Sequence, residues 1–175
     1  WLDRIMAGRL PKVGRISLTP MLSPKGKLIG DFTVSCLSET EFQLTASYGA
    51  QDYHMRWFLQ NLSGDVRVDN ISDRLTGFQI AGPKARDVLA ACIRSDVSDM
   101  RFMDVRKMVV GMTECTVQRV SYTGDLGFEI YCDPLDQRAL WSTLWSAGQA
   151  FDMKPFGMRA MMSLRLDKFF GSWAR

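Results

Sequence analysis

The sequence is poor in the residues that build metal and redox sites. Its 175 residues include one histidine, His54, and four cysteines without a C-x-x-C spacing. A histidine-rich metal site is therefore excluded, and a Ser-His-Asp triad would depend on that single imidazole. We expect no metal, reduced and buried cysteines, and a solvated His54 within a helix.

Long apolar runs are missing as well. No stretch approaches the ~18 uninterrupted apolar residues of a membrane span, and the first ten residues, WLDRIMAGRL, lack the pattern of a secretory signal. Basic residues exceed acidic residues by only 22 to 19 and form no dense run with aromatic residues, so nucleic-acid binding has little support. We expect no membrane and no nucleic acid among the partners, and a location in the cytoplasm or the mitochondrial matrix.

A third absence concerns dinucleotide cofactors. No G-x-G-x-x-G motif occurs, so no flavin or nicotinamide fingerprint is visible. Any oxidative step would therefore take place outside these residues. The chain begins at Trp1 without an initiator methionine and ends at Arg175 directly after a helical pattern, from which we expect a domain truncated at both ends.

The composition that is present, 46% hydrophobic and 23% charged residues, is typical of a globular domain. Alternating apolar and polar residues predict strands at residues 15–22, 28–36, 41–46, 66–71, 76–80, 108–112, 113–122 and 127–132. Apolar residues at three- and four-residue steps predict helices at residues 1–6, 51–62, 83–92, 135–151 and 156–170. This order predicts an α+β fold with antiparallel sheets flanked by helices.

We expect two closely packed subdomains. Residues 1–103 would form an antiparallel, ferredoxin-like α+β subdomain with an N-terminal remnant, and residues 104–175 a second subdomain with the C-terminal helices. In the long predicted helix, Trp141 and Trp145 are expected to face the core rather than a ligand.

The stretch SYTGDLGFEIY at residues 121–131 has the clearest chemical content. Gly124 and its neighbours supply turn chemistry between two predicted strands, which predicts a hairpin with Tyr122 near its turn. On the second strand, period-two alternation separates Glu129 from its apolar neighbours. A carboxylate in such surroundings is costly to bury without a donor, so Glu129 is a candidate acceptor for a ligand with paired N–H groups.

The same residues also permit an interpretation without a ligand site. Gly124 would then be only a hairpin turn, Tyr122 a half-buried strand residue, and Glu129 an exposed residue on the wet face of an antiparallel sheet. The spacing alone leaves both interpretations open.

Asp31 is the corresponding candidate in the first half of the chain. In the strand LIGDFTV, alternation places Ile29, Asp31 and Thr33 on one face, so Asp31 could point into a partly polar cavity. A solvent-facing acid is the alternative.

These motifs resemble a known family. The run SYTGDLGFEIY resembles the tetrahydrofolate-binding signature of the glycine-cleavage T-protein (aminomethyltransferase) family. The tail FGMRAMMSLRLDKFFGSWAR resembles the folate-binding region of dimethylglycine and sarcosine dehydrogenases. The resemblance covers most of the chain and implies a folate-binding, T-protein-like domain.

The resemblance also implies roles for individual residues. The run LSPKGKLIGDFTV places Asp31 at the family's proposed catalytic carboxylate, where it would take a proton and stabilise positive charge. Glu129 and Tyr122 would bind tetrahydrofolate. Met161 stands where the glycine-cleavage branch carries a folate-contacting arginine, which favours the dehydrogenase branch, and we count it among the cofactor-binding residues. Arg165 is expected to pair with a carboxylate.

The implied function is a tetrahydrofolate-binding one-carbon (aminomethyl or methylene) transferase domain of a dimethylglycine or sarcosine dehydrogenase-like enzyme. Asp31 and Glu129 would converge on one hollow that holds the bicyclic ring. FAD would take part only if a flavin domain exists outside this segment, on the same chain, and the small-molecule partner would be an N-methyl amine or aminomethyl donor.

Two alternative functions remain: a stand-alone glycine-cleavage aminomethyltransferase, and a non-catalytic folate-binding or assembly module.

Overall fold

The chain folds into two compact units in a computed structural model that describes residues 1–171. Unit 1 is Trp1–Asp73 and unit 2 is Arg74–Gly171. The boundary expected at residues 103 and 104 falls inside unit 2, because a strand at Thr76–Ala81 pairs with a strand at Gly127–Cys132. The last four residues of the tail motif, which also end the expected second subdomain, lie outside the described residues.

Unit 1 contains a three-stranded antiparallel sheet in the order β1-β2-β3. Its elements are α1 Leu2–Ile5, β1 Ile16–Leu22, β2 Leu28–Cys36, β3 Phe42–Thr45 and α2 Gln51–Gln60. The β1–β2 connection is a turn in which the Gly26 N–H donates to the Ser23 carbonyl over 2.8 Å, and Gly26 takes a φ of +69°. Glycine adopts this left-handed conformation without steric cost. The apolar core comprises Leu2, Met6, Met21, Ile29, Phe32, Val34 and Phe58.

Unit 2 contains a four-stranded antiparallel sheet in the order β4-β7-β6-β5. Its elements are β4 Thr76–Ala81, α3 Ala85–Cys92, β5 Val105–Val110, β6 Thr113–Gln118, β7 Gly127–Cys132, α4 Gln137–Gly148 and α5 Met158–Asp167. The predicted α+β class with antiparallel sheets is thereby confirmed. Among the described helices, none combines the length and the apolar content needed to cross a membrane.

One face of the unit 2 sheet packs into the apolar core, and Glu129 lies on the opposite face. Phe128 and Ile130 on β7 are both completely buried in a core that includes residues of α3 and α4. The residue between them, Glu129, points to the opposite face and is only partly buried. The predicted alternation along β7 is therefore confirmed.

Two local predictions are wrong. Residues 66–71, predicted as a strand, form no regular element. Trp141, predicted to face the core, is 44% exposed and stacks on Trp145, with 5.7 Å between the ring centroids. The core-facing positions of α4 are Leu140 and Leu144, so Trp141 lies at the edge of the buried stripe.

The prediction of a solvated His54 is also wrong. His54 is on α2, is 3% exposed, and lies with its ring centroid 4.7 Å from that of Phe32 on β2. Burial lowers the pKa of the imidazole, and a hydrogen bond with the backbone of Ile29 opposes this shift. The imidazole ring has space because Gly30, which lies between Ile29 and Phe32 on β2, has no side chain. A Cβ at Gly30 would lie 2.7 Å from His54 Nε2.

We predict that Gly30→Ala destabilises the protein. The new methyl group would lie 2.6 Å from the Phe32 ring and 2.7 Å from His54, so both rings would have to move. Overpacking of this kind costs about 1–3 kcal/mol, measurable by chemical denaturation. Gly49→Ala is the matched control, because a Cβ at Gly49 meets no atom within 4 Å. Equal stability of the two variants would contradict the packing described for His54.

Candidate functional site

The predicted hairpin is formed by β6 and β7, with Val117 opposite Ile130. Its connection spans residues 119–126, so Tyr122 lies in the loop and not on the strand predicted to include it. Gly124 takes a φ of +77°, and its N–H donates to the Ser121 carbonyl over 3.1 Å, as expected for a turn.

Glu129 lies in a row of polar residues across three strands. Its direct partner on β4 is Gln79, and its direct partner on β6 is Gln118. Residues that pair directly in an antiparallel sheet lie on the same face, with Cβ atoms roughly 5 Å apart. We call Gln79, Glu129 and Gln118 the polar row.

Within residues 1–171, the Glu129 carboxylate accepts a hydrogen bond from one side chain. The Tyr131 hydroxyl donates to Glu129 Oε2 over 2.7 Å. Gly77, the β4 partner of Tyr131, leaves room for this ring, because a Cβ there would lie 2.8 Å from it. Burial raises the pKa of the Glu129 carboxyl, and the hydrogen bond from Tyr131 offsets part of this shift. The carboxylate is therefore removed from water with fewer donors than its charge requires.

The two glutamines of the polar row differ in their partners. Gln79 Nε2 donates to Ser121 Oγ over 2.9 Å, and this hydroxyl also lies 2.7 Å from Thr123 Oγ1. Gln118 is completely buried, yet neither its Nε2 nor its Oε1 has a hydrogen-bond partner among the described residues. A buried donor or acceptor without a partner costs about 1–3 kcal/mol. Within the described residues, the Gln118 amide therefore lacks both a hydrogen-bond donor and a hydrogen-bond acceptor.

Tyr122 is half-buried and lies beneath Arg165 of α5. The Arg165 guanidinium carbon is 5.7 Å from the centre of the Tyr122 ring. Arg165 is 6% exposed, and its Nε and Nη1 have no hydrogen-bond partner in the described part of the chain. The predicted pairing of Arg165 with a carboxylate is thus not found within residues 1–171, where an aromatic face takes that place.

Met161, one helical turn before Arg165, lines a cavity of about 780 Å³. The cavity is formed by β4, the start of α3, α4 and residues 151–158, and Gln79 also lines it. Tyr122 and Glu129 do not. Of the predicted cofactor-binding residues, Met161 is therefore the one that lines this cavity, while Glu129 lies in the polar row and Tyr122 against Arg165.

Asp31 lies in unit 1, on β2, directly opposite Pro20 of β1. Its side chain is exposed, although partial burial of the carboxyl raises its pKa. The catalytic role of Asp31 and its convergence with Glu129 stay predictions. Within residues 1–171, no cluster of three or more histidine, cysteine, aspartate or glutamate residues has the arrangement of a metal site.

Sequence reasoning missed Gln118, Gln79 and Tyr131 as neighbours of Glu129. A signal existed for Gln118, since it follows Val117 in TVQRV at the alternation expected for the face opposite the core. Its pairing with Glu129 depends on the hairpin register, which an eight-residue connection does not specify. For Gln79 no local signal existed, because β4 and β7 are far apart in the sequence.

Comparisons with known proteins show which family the chain belongs to. Residues 1–175 match the family model described as GCVT N-terminal domain. Mitochondrial dimethylglycine dehydrogenase of Homo sapiens is 38% identical over 177 residues, which cover 98% of this chain and 20% of that protein. Aminomethyltransferase of Clostridium botulinum (strain Loch Maree / Type A3) is 30% identical over 158 residues, which cover 89% of this chain and 43% of that protein. The chain thus spans about a fifth of the length of the dehydrogenase and less than half that of the aminomethyltransferase.

Solved structures show the same fold. The glycine cleavage system aminomethyltransferase T from Bartonella henselae superimposes with a TM-score of 0.76 at 23% identity, over 93% of this chain and 43% of that one. Heterotetrameric sarcosine oxidase from Corynebacterium sp. U-96 gives a TM-score of 0.64 at 19% identity, over 89% of this chain and 75% of that one. At these identities the likeness concerns the fold alone.

We predict that ionisation of Glu129 destabilises the ligand-free protein. Its folded-state pKa is raised above the ordinary value of 4.5, so the folded state holds this proton more tightly than the unfolded state does. The favourable contribution is fully present below pH 4.5 and is lost as the pH rises through the folded-state pKa. Glu129→Gln, which keeps an acceptor for Tyr131, should therefore lose less stability than the wild type as the pH rises above 4.5, measured by denaturant unfolding.

The matched control for this prediction is Glu114→Gln, an exposed carboxylate on the neighbouring strand β6. It should follow the wild-type pH dependence. If Glu129→Gln also followed it, the carboxylate would not be desolvated as described.

Proposed function

Because the chain belongs to the GCVT N-terminal domain family, we propose that it is the tetrahydrofolate-binding part of a one-carbon transferase, with Glu129 as the residue that recognises the pterin ring. The observation that carries this proposal is the desolvated Glu129 carboxylate on the polar face of β7. A carboxylate accepts two adjacent N–H groups in a bidentate pair, and charge makes such bonds stronger than neutral ones. A reduced pterin presents a ring N–H and an amino group side by side.

The residues present fit such a ring. Glu129 retains acceptor capacity beyond its bond from Tyr131, and the adjacent buried Gln118 amide has no hydrogen-bond partner within residues 1–171. The half-buried Tyr122 ring, with Arg165 over it, supplies an aromatic surface next to the hairpin. Buried polar groups are normally hydrogen-bonded, so groups that lack a partner in the described residues support a ligand that bonds to them.

Each residue has a defined part in the proposed function. Tyr131 orients the Glu129 carboxylate through its hydroxyl, and Glu129 would accept the two N–H groups of the ring. Met161 would contribute a soft apolar contact. Bound tetrahydrofolate would supply the nitrogen that receives the one-carbon unit. Asp31, as a carboxylate, would stabilise positive charge and accept a proton during the transfer, and its raised pKa makes it a better proton acceptor.

The source of the one-carbon unit is a further part of the proposal. Similarity to mitochondrial dimethylglycine dehydrogenase supports an N-methyl amine as the donor, a flavin domain on the same polypeptide, and a location in the mitochondrial matrix. Similarity to aminomethyltransferase of Clostridium botulinum supports a second candidate, an aminomethyl donor of glycine cleavage. Met161, in place of the arginine of the glycine-cleavage branch, favours the first.

We predict that Glu129→Ala weakens binding of tetrahydrofolate to the full-length protein by roughly 10- to 100-fold, because a charged acceptor of two hydrogen bonds is lost. Isothermal titration calorimetry measures the effect. Glu114→Ala, which removes an exposed carboxylate from β6, should bind like the wild type. Undiminished affinity in Glu129→Ala would refute the role of Glu129, and a wild type that binds no reduced folate would refute the function.

We predict that Asp31→Asn binds tetrahydrofolate with nearly wild-type affinity but transfers one-carbon units at least about 100-fold more slowly. The amide keeps the size of the carboxylate while it removes the proton acceptor, and proton transfer contributes roughly 10²–10⁴-fold to rate. Single-turnover measurement of folate-bound one-carbon product checks this. Wild-type turnover in Asp31→Asn would exclude Asp31 as the catalytic group, and absence of transfer in the wild type would favour a binding module.

A further inference from the structure

Gln118 is the completely buried member of the polar row. Its Nε2 and Oε1 both lack a hydrogen-bond partner among the described residues, and its exposure is zero. Native structures rarely leave a buried carboxamide without hydrogen bonds, because each unsatisfied donor or acceptor keeps the full free-energy cost of its removal from water. The condition indicates that a partner from outside the described residues completes it.

The position of Gln118 limits what that partner is. Gln118 pairs directly with Glu129 in the β6–β7 register, so their side chains leave the same sheet face roughly 5 Å apart at Cβ. On its other side, Gln118 pairs with Val105 of β5, which offers no polar group. Glu129 is only partly buried and therefore marks the accessible side of this pair.

The pair has a distinct donor and acceptor pattern. A carboxylate offers acceptors only, whereas a carboxamide offers both a donor and an acceptor. A ligand edge that satisfies Glu129 with two N–H groups would meet the Gln118 amide at the next atom along that edge. If this atom is an oxygen, Nε2 donates to it, and one of the two unsatisfied groups is completed.

Resting on the proposed function, we infer that Gln118 is a specificity-determining residue that donates to the 4-oxo group of the reduced pterin. On a pterin, this oxygen is adjacent to the ring N–H that Glu129 would accept, and the 2-amino group lies on the other side of that N–H. Glu129 and Gln118 together would thus recognise the sequence oxo, N–H, amino along one ring edge. The site would prefer this edge to that of a 4-amino analogue, which lacks both the oxygen and the ring N–H.

The test uses Gln118→Met in the full-length protein, since methionine keeps the length of the side chain and removes the amide. Affinities for tetrahydrofolate and for its 4-amino analogue, tetrahydroaminopterin, are measured by titration calorimetry. We expect about a tenfold loss for tetrahydrofolate and a smaller loss for the analogue, because the analogue lacks the ring N–H through which Glu129 would hold the 4-position of the ring against Gln118. Gln137→Met, which alters an exposed glutamine at the start of α4, is the control and should change neither affinity.

A second readout needs no ligand. If Gln118 awaits a ligand, Gln118→Met removes two unsatisfied buried groups and should leave the Tm of the ligand-free protein unchanged or higher. A lower Tm would show that the amide is bonded within the protein and would overturn the inference. So would equal losses for both ligands, or no loss for either, while the wild type still binds tetrahydrofolate. A wild type that binds neither ligand would refute the proposed function and this inference together.

Discussion

The candidate site depends on the position of β7 between β4 and β6. Glu129 has a direct partner on each neighbouring strand, and its neighbours in sequence, Phe128 and Ile130, are completely buried on the other face. A slip of one residue would place both apolar side chains in the polar row and Glu129 in the core. The free energy that holds the carboxylate in place is therefore supplied mainly by hydrophobic burial on the face that it does not occupy.

The polar groups near the hairpin share one property: they are removed from water, and residues 1–171 do not supply all of their hydrogen-bond partners. This holds for the Glu129 carboxylate, the Gln118 amide and two nitrogens of Arg165. Such groups lower the stability of the ligand-free protein, and they cluster where a ligand supplies what the chain does not. Apolar residues at the same positions would give a more stable sheet with no chemistry on that face.

Glycines act in this fold by making room for rings that position other groups. Gly77 on β4 leaves space for Tyr131, whose hydroxyl then reaches Glu129. Gly30 on β2 leaves space for His54, which packs against Phe32 beside the strand that carries Asp31. In both units, the absence of a side chain on one strand determines where a neighbouring ring lies.

The sequence by itself determined the antiparallel α+β class, the family, the turn at Gly124 and the alternation that separates Glu129 from Phe128 and Ile130. These features depend on local periodicity and turn chemistry, which a few adjacent residues specify. Only the tertiary structure decided that Gln79 and Gln118 flank Glu129, that His54 is buried, and that Arg165 lies over the Tyr122 ring. Strand order, register and helix packing join residues distant in the chain, and they follow from which apolar surfaces bury each other, a choice that no single stretch of sequence contains.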